Sequence, residues 1–268
     1  MSSPISCEGE MIELSRLKKR FGGVVAVDEL TLNIRRGEFF GFLGPNGAGK
    51  TTTIKLMAGL LKPTAGRMRI GGFDVVEEPL RAKSIIGFIP DRSFLYEKLT
   101  GREFLVFIAE VYGLEPKSYK PLIASLLKEF KLTPWGDELI ESYSHGMRQR
   151  LVICSALIHH PQVILVDEPM VALDPKGVKL VKELFTRLCQ QGVTIFMSTH
   201  TLSLAEELCH RIAIIHRGRL VAVGTREELR KRASITQTGL EDIFLELTRE
   251  EDESVNSAGK DTGVNPQA

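Results

Sequence analysis

The sequence predicts an α/β fold with a mostly parallel β-sheet, an antiparallel β portion near the N-terminus and a helical insertion in the middle. Short apolar runs alternate with longer helical patterns, which is typical of parallel sheets covered by helices. Polar and apolar residues alternate from Ile12 to Ile34, which favours antiparallel strands with one buried face. From about Phe94 to Leu157 the pattern is helical, so this segment is expected to form an insertion between two strands of the sheet.

The other elements follow in chain order. The apolar run from Phe39 to Leu43 predicts a buried strand, because it ends in the turn residues Gly-Pro-Asn-Gly, and a helix is expected from Thr51 to Leu60. The helices expected in the insertion are Arg102 to Tyr112, Tyr119 to Phe130 and Gly146 to Ile158. Further buried strands are expected at Val163 to Val166, Val193 to Met197 and Ile212 to Ile215, the last paired with Leu220 to Val223 in a hairpin.

The composition excludes several classes of protein. Of the 268 residues, 43% are hydrophobic and 26% are charged, which indicates a globular protein with a core. The net charge of +1 argues against a polybasic nucleic-acid-binding protein, and no apolar stretch approaches the ~20 residues of a membrane-spanning helix. The four cysteines lack CxxC spacing, which argues against a zinc site or a disulfide framework.

We expect one domain at residues 10–248, with a helical subdomain at about 92–160, and a disordered tail at 249–268.

A glycine-rich segment after the first buried strand has the pattern GxxxxGK[ST], which predicts a phosphate-binding loop. Glycines let consecutive backbone N–H groups curl around phosphate oxygens, where a Cβ atom would block the approach. Lys50 supplies a cation for the phosphates, the Thr51 hydroxyl suits Mg²⁺, and the following helix points its positive end at the same anion. The segment is Gly44-Pro45-Asn46-Gly47-Ala48-Gly49-Lys50-Thr51.

A later predicted strand ends in two carboxylates, Asp167 and Glu168. Ligands of parallel α/β sheets bind at the carboxyl ends of the strands, so these side chains are expected to face the phosphate loop. Asp167 is then placed to hold the water shell of Mg²⁺, and Glu168 to orient or deprotonate a water that attacks a phosphate. In a sequence without the phosphate-binding loop, Asp167 and Glu168 could also be explained as two solvated carboxylates at the end of a strand.

Three more motifs follow the loop in order: Ser144-His145-Gly146-Met147-Arg148-Gln149-Arg150, Ala172-Leu173-Asp174-Pro175 and Ser198-Thr199-His200. From about Ile12 to Val223, the ordered set resembles the nucleotide-binding subunit of an ABC transporter, which has a P-loop NTPase core. The resemblance implies a subunit that binds ATP and Mg²⁺ and hydrolyses ATP as a head-to-tail dimer to drive transport. It also implies that the signature loop at Ser144 serves the nucleotide held by the opposite copy.

The resemblance assigns roles to single positions. Phe21 resembles the aromatic residue that stacks on adenine, and His200 resembles the switch histidine that touches the γ-phosphate. The implied nucleotide-binding residues are Phe21, Gly44, Pro45, Asn46, Gly47, Ala48, Gly49, Lys50, Thr51, Thr52, Ser144 and Gly146; the implied catalytic residues are Lys50, Glu168 and His200; and the implied metal ligands are Thr51, Asp91 and Asp167.

Two motifs depart from the family's usual pattern. In the signature, commonly Leu-Ser-Gly-Gly-Gln, Tyr143, His145 and Met147 replace the leucine, the first glycine and the glutamine. Asp91 stands where a glutamine is usual, which adds negative charge beside the phosphates. Both variants resemble the ABC-2 type subfamily, whose ATPase and membrane parts are separate chains that often work as exporters.

The resemblance places the chain peripherally at the cytoplasmic face of a membrane. Its expected partners are an integral-membrane permease subunit and a second copy of itself or a paralogue, with no nucleic acid. Phe94, Leu95 and Tyr96 would pack the helical insertion or form a groove for a short helix of the membrane partner. Two alternatives stay open: a soluble ABC-type ATPase that acts on ribosomes or nucleic acid, and a regulatory ATP-binding subunit with little turnover.

Overall fold

Two β-sheets and their connecting helices make up the part of the chain that the computed structural model describes, which is residues 9–92, 94–168, 170, 173–233, 241–246 and 249. Pro169, Ala172 and the predicted tail beyond Arg249 lie outside these residues. The strands are β1 (Glu10–Phe21), β2 (Val24–Arg35), β3 (Phe39–Leu43), β4 (Ala65–Ile70), β5 (Phe73–Asp74), β6 (Ile86–Ile89), β7 (Val163–Asp167), β8 (Thr194–Thr199), β9 (Arg211–His216) and β10 (Arg219–Gly224). The helices are α1 (Lys50–Met57), α2 (Pro79–Ser84), α3 (Gly101–Val111), α4 (Pro116–Glu129), α5 (His145–Leu157), α6 (Pro175–Gln190), α7 (Leu202–Leu208) and α8 (Arg226–Arg232), and residues 241–246 are also helical.

The smaller sheet is antiparallel, with the strand order β2-β1-β4-β5. Its long strands β1 and β2 bury one apolar face, on which Leu14, Leu30 and Ile34 are fully buried. Strand β4 adds only Met68 and Ile70 to the buried side chains. The alternation from Ile12 to Ile34 therefore predicted the two strands that contribute most to this core.

The larger sheet has the order β10-β9-β3-β8-β7-β6 and is parallel except at β10. Alternate residues of its central strands belong to two apolar clusters. Phe39 and Ile164 pack with the helices of the insertion, whereas Phe40 and Leu165 pack with the smaller sheet and α1. Strands β3, β7 and β8 are therefore buried along their whole length, which explains why their apolar residues follow one another instead of alternating with exposed polar residues.

The hairpin turn between β9 and β10 braces the phosphate loop. The turn residues Arg217 and Gly218 have φ angles of +47° and +81°, as a two-residue type I′ turn requires. The N–H of Gly218 donates to the carbonyl of Ala48 at 2.9 Å, and its own carbonyl accepts from the N–H of Asp28 at 2.8 Å. The turn thereby joins the loop to the smaller sheet.

The insertion consists of α3, α4 and α5. In the sequence these helices lie between β6 and β7, which are neighbouring parallel strands of the sheet. Phe104, Ile123 and Leu151, one from each helix, are buried in a common cluster. Helix α4 begins at Pro116, so the predicted start at Tyr119 is wrong; proline is tolerated at the first helical position because no hydrogen bond is lost there. The predicted combination of a mostly parallel sheet, an antiparallel portion and a helical insertion is confirmed. Among the described residues, every helix is too short or too polar to cross a bilayer.

Candidate functional site

The carboxyl ends of β3, β8, β7 and β6 lie side by side at one edge of the larger sheet, because these strands are parallel and adjacent in that order. The phosphate loop follows β3, and His200 follows β8. Asp167 ends β7 with Glu168 directly after it, and Asp91 lies just beyond β6. The strand order brings together side chains that are far apart in the sequence.

A cavity of about 250 Å³ opens at this edge. Its wall is formed by the phosphate loop, the first turn of α1, the segment after β6 and the residue after β7. Gly44 and Ala48 lie behind the wall, where Ala48 is 2% exposed and a Cβ atom on Gly44 would lie 2.4 Å from the carbonyl oxygen of Ile215. The lining residues are Ala26, Pro45, Asn46, Gly47, Gly49, Lys50, Thr51, Thr52, Asp91 and Glu168.

Lys50 holds its ammonium group inside the loop. Its Nζ atom donates to the carbonyl oxygens of Gly44, at 2.6 Å, and Pro45, at 3.1 Å, and the residue is 6% exposed. Burial lowers the pKa of Lys50 from its usual value, and the negative charges of Glu168 and Asp167 oppose that shift. A bound anion would offset the cost of burying this cation, so the arrangement fits a phosphate ligand.

The substitution Gly49→Ala is expected to lower the free energy of unfolding by about 2–5 kcal/mol. Gly49 has a φ of +104°, and a Cβ atom there would lie 2.4 Å from the carbonyl oxygen of Ala26. Gly47→Ala is the matched control, because Gly47 has a φ of +81° but, apart from its chain neighbours, no atom of the described residues lies within 4 Å of its Cβ position, so only about 1–2 kcal/mol of backbone strain is expected. Urea denaturation measures both, and equal midpoints would contradict the close contact at Gly49.

Asp167 and Glu168 lie in different surroundings. Asp167 is 2% exposed and accepts a hydrogen bond from the hydroxyl of Ser198. Glu168 has a φ of +51°, and this left-handed backbone conformation is strained for a residue with a side chain. Its carboxylate lines the cavity and lies 2.9 Å from Nδ1 of His200. A carboxylate and an imidazole in contact beside a phosphate loop can orient a water molecule for attack.

Phe21 lies at the end of β1 and is 47% exposed. The Nζ atom of Lys19 sits 4.9 Å from the centre of its ring and donates to the carbonyl of Lys62 at 2.8 Å. The ring is held by this cation on one side while keeping exposed surface, which suits a platform on which a base can stack.

Ser144 and Gly146 lie at the start of α5, apart from the lining of the cavity. Ser144 caps the helix by accepting from the N–H of Met147 at 3.3 Å, and its side chain is exposed. Ser144 and Gly146 are therefore separate from the predicted site residues that line or adjoin the cavity, and Phe21, at the end of β1, is not among the lining residues either.

The donor set fits a Mg²⁺ ion that is bound together with substrate phosphates. Thr51 and Asp91 line the cavity and Asp167 lies buried next to Glu168, so one hydroxyl and two carboxylates are available near the phosphate loop. Within the described ranges, no three His, Cys, Asp or Glu side chains are close enough to hold a metal by themselves. This arrangement is typical of Mg²⁺, which keeps several waters and binds through one or two carboxylates together with substrate phosphates.

Two residues of the site were not predicted from the sequence. Ser198 bonds to Asp167 because the register of β7 and β8 places the two residues side by side, and Ala26 reaches the cavity from the smaller sheet. The apolar run of β8 ends in the polar residues Ser198 and Thr199, and this pattern in the sequence could have indicated that Ser198 belongs to the site. No local pattern pointed to Ala26.

Comparison with known proteins adds independent findings. Residues 27–171 match the family described as ABC transporter. The chain is 35% identical over 245 residues to the linearmycin resistance ATP-binding protein of Bacillus subtilis, an alignment that covers 89% of this chain and 79% of that protein. A solved ATP-binding subunit of an ABC transporter superposes with a TM-score of 0.84 at 32% identity and covers 89% of this chain and 99% of the other. A dimeric post-hydrolysis state of an ATP-binding cassette, bound to ADP and Pi, gives a TM-score of 0.73 at 27% identity and covers 80% of this chain and 98% of the other.

Proposed function

The chain belongs to the ABC transporter family and is an ATP-binding subunit that hydrolyses ATP, and we propose that this hydrolysis drives export through a separate membrane-embedded permease. The P-loop NTPase fold expected from the sequence is confirmed by the same relatives. One observation carries the assignment of the site: the phosphate loop and Glu168 line the same cavity.

In the proposed reaction, the phosphates of ATP lie in the loop, bound by backbone N–H groups at the start of α1 and by the ammonium group of Lys50. Glu168 accepts the proton of the attacking water, and His200, in contact with Glu168, interacts with the transferred phosphoryl group. Thr51, Asp91 and Asp167 would hold Mg²⁺, which neutralises phosphate charge when bound. Phe21 stacks on the base.

The pair Ser144 and Gly146 suits a symmetric dimer. Both residues are separate from the chain's own cavity, and the hydroxyl and the first-turn N–H groups of α5 are a natural anion-binding set. In a head-to-tail dimer with twofold symmetry, each copy would present these groups to the ATP of the other. A paralogue with the same surface could replace the second copy.

An exposed aromatic surface supports a membrane partner at the cytoplasmic face. It consists of Phe94, Tyr96, Phe107 and Val111, which are 82%, 59%, 41% and 65% exposed. Tyr96 packs edge-on against Phe107 at 5.5 Å, whereas Leu95 packs against the core of the insertion. Of the two roles expected for this segment, Leu95 serves the first, and the aromatic surface is suited to binding a short helix of the permease.

The substitutions Phe94→Ser and Tyr96→Ser are each expected to weaken binding to membranes of the native host about tenfold, because burial of one aromatic ring contributes ~1.5–3 kcal/mol. Sedimentation with washed membranes measures the bound fraction, and phosphate release measures ATP hydrolysis by the purified chain, which should be unchanged. Leu80→Ser is the matched control, since Leu80 is 83% exposed on α2, outside the aromatic surface.

Two other outcomes would replace the proposal. Sedimentation of the wild-type chain with ribosomes instead of membranes would favour the ABC-type ATPase that acts on ribosomes. Nucleotide binding without phosphate release, even with membranes and Mg²⁺ present, would favour a regulatory subunit.

A further inference from the structure

Arg148 connects two surface segments that the proposed function uses separately. Its Nη1 atom donates to the carboxylate of Glu97 at 2.7 Å, Nη2 donates to the carbonyl of Glu141 at 3.1 Å, and Nε donates to the carbonyl of Tyr143 at 3.2 Å. Glu97 follows Phe94 and Tyr96 of the aromatic surface, and Tyr143 directly precedes Ser144. One guanidinium group thus binds both segments.

The backbones of the two segments are also paired. The N–H of Ile140 donates to the carbonyl of Leu99 at 2.9 Å, and the N–H of Glu141 donates to the carbonyl of Glu97 at 3.1 Å. Lys98 and Glu141 form an ion pair at 2.6 Å. The segments that contain Glu97 and Glu141 are therefore connected by two backbone hydrogen bonds and an ion pair, in addition to the guanidinium of Arg148.

Arg148 also bonds to the chain on both sides of Ser144, where the chain leads into α5. Ser144 has an extended backbone, with a ψ of 161°, and the N–H of Arg148 donates to its carbonyl at 2.9 Å. The guanidinium of the same residue returns to the carbonyls of Glu141 and Tyr143, on the other side of Ser144. The guanidinium thereby holds the chain directly before Ser144, whose hydroxyl accepts from the N–H of Met147 in the first turn of α5.

We propose that Arg148 is a positioning residue, which holds Ser144 and Gly146 in the orientation that binds the nucleotide of the second copy and links that orientation to the aromatic surface through Glu97. The inference rests on the proposed dimer and adds to it a mechanical connection between two contacts. One is the contact of the aromatic surface with the permease, and the other is the contact of Ser144 and Gly146 with the nucleotide of the second copy. If the ion pair between Arg148 and Glu97 were only structural, its loss would lower the stability of the insertion without weakening the dimer selectively.

The test uses the full chain with Glu168→Gln as the parent, so that ATP is bound but not cleaved. Sedimentation velocity measures the ATP-dependent dimer, and calorimetry measures the affinity of the single chain for ADP. Arg148→Gln is expected to raise the dimer dissociation constant about tenfold or more, as the loss of charge-assisted hydrogen bonds predicts, while ADP affinity stays within about twofold. Glu97→Gln is expected to shift the dimer constant in the same direction by a smaller factor.

Two further variants make the result specific. Arg102→Gln is the matched control, because the side chain of Arg102 forms two hydrogen bonds with Asp137 in the same insertion but, among the described residues, none with residues 141–143, so it should change neither measurement. Arg148→Lys keeps the charge but lacks the planar fork that reaches two carbonyls, so it should also weaken the dimer. This variant keeps the test decisive if Arg148→Gln does not fold.

Dimers of Arg148→Gln and Arg148→Lys as strong as that of Arg102→Gln would overturn the inference and leave the proposed function intact. A parallel loss of ADP affinity would also overturn it, since Arg148 would then support the fold as a whole. A parent that stays monomeric with ATP would instead refute the proposed dimer, and the inference with it.

Discussion

Replacement of Glu168 by glutamine is expected to slow ATP hydrolysis about 100- to 10,000-fold, which is the range of a general base. Glutamine has nearly the same shape but cannot accept the proton of the attacking water. Its amide still reaches the neighbourhood of His200, whose Nδ1 lies 2.9 Å from the carboxylate in the wild-type chain. The affinity for ATP should be kept, so that the variant accumulates as a dimer with ATP enclosed.

Phosphate release measures the turnover of Glu168→Gln, and size-exclusion chromatography with ATP detects the dimer. Glu183→Gln makes the same chemical change on the exposed face of α6 and should behave as the wild type. Wild-type turnover in Glu168→Gln would remove Glu168 from the role of base.

The substitution Lys50→Met is expected to weaken ATP binding about a hundredfold or more, because it removes the buried cation that we propose contacts the phosphates. Two effects add here. The loop loses the ammonium group that bonds to the carbonyls of Gly44 and Pro45. The negative charges of Asp167 and Glu168, which interact with Lys50, are then less compensated and repel the triphosphate more strongly.

Lys55→Met is the matched control for this change. Lys55 is on the same helix, α1, but its side chain is exposed, so the substitution removes an equal charge from outside the cavity. Calorimetric titration with ATP measures both variants. Equal affinities in Lys50→Met and Lys55→Met would contradict the role of Lys50 in the loop.

The sequence predicted the parts of the fold that have a local pattern. Strand β3, the loop and α1 follow one another without interruption, so the glycine pattern was sufficient to place Lys50 and Thr51. Strand β4 was missed, because its only buried residues are Met68 and Ile70 and its pairing with β1 joins distant parts of the chain. Helix α6 was not predicted, although Val181, Leu184 and Phe185 lie on one buried face at helical spacing.

The details of the site depend on contacts between distant residues. The bond from Ser198 to Asp167 requires the register of β7 against β8, which no local pattern fixes. The left-handed backbone of Glu168 is the opposite of what propensity predicts for glutamate, and it is maintained by the surrounding strands. The three contacts of Arg148 likewise involve residues up to 51 positions away.

The internal hydrogen bonds of the Lys50 ammonium have a consequence for the rate and cost of ligand exchange. Since Nζ is already held by the carbonyls of Gly44 and Pro45, the loop is preorganised, and the conformational entropy of ordering it is lost during folding and not at each binding event. Within the loop, arrival and departure of a nucleotide then change the hydrogen-bond partners of the Lys50 ammonium without refolding the backbone around it. An ATPase that turns over continuously benefits from a binding loop that does not have to refold in each catalytic cycle.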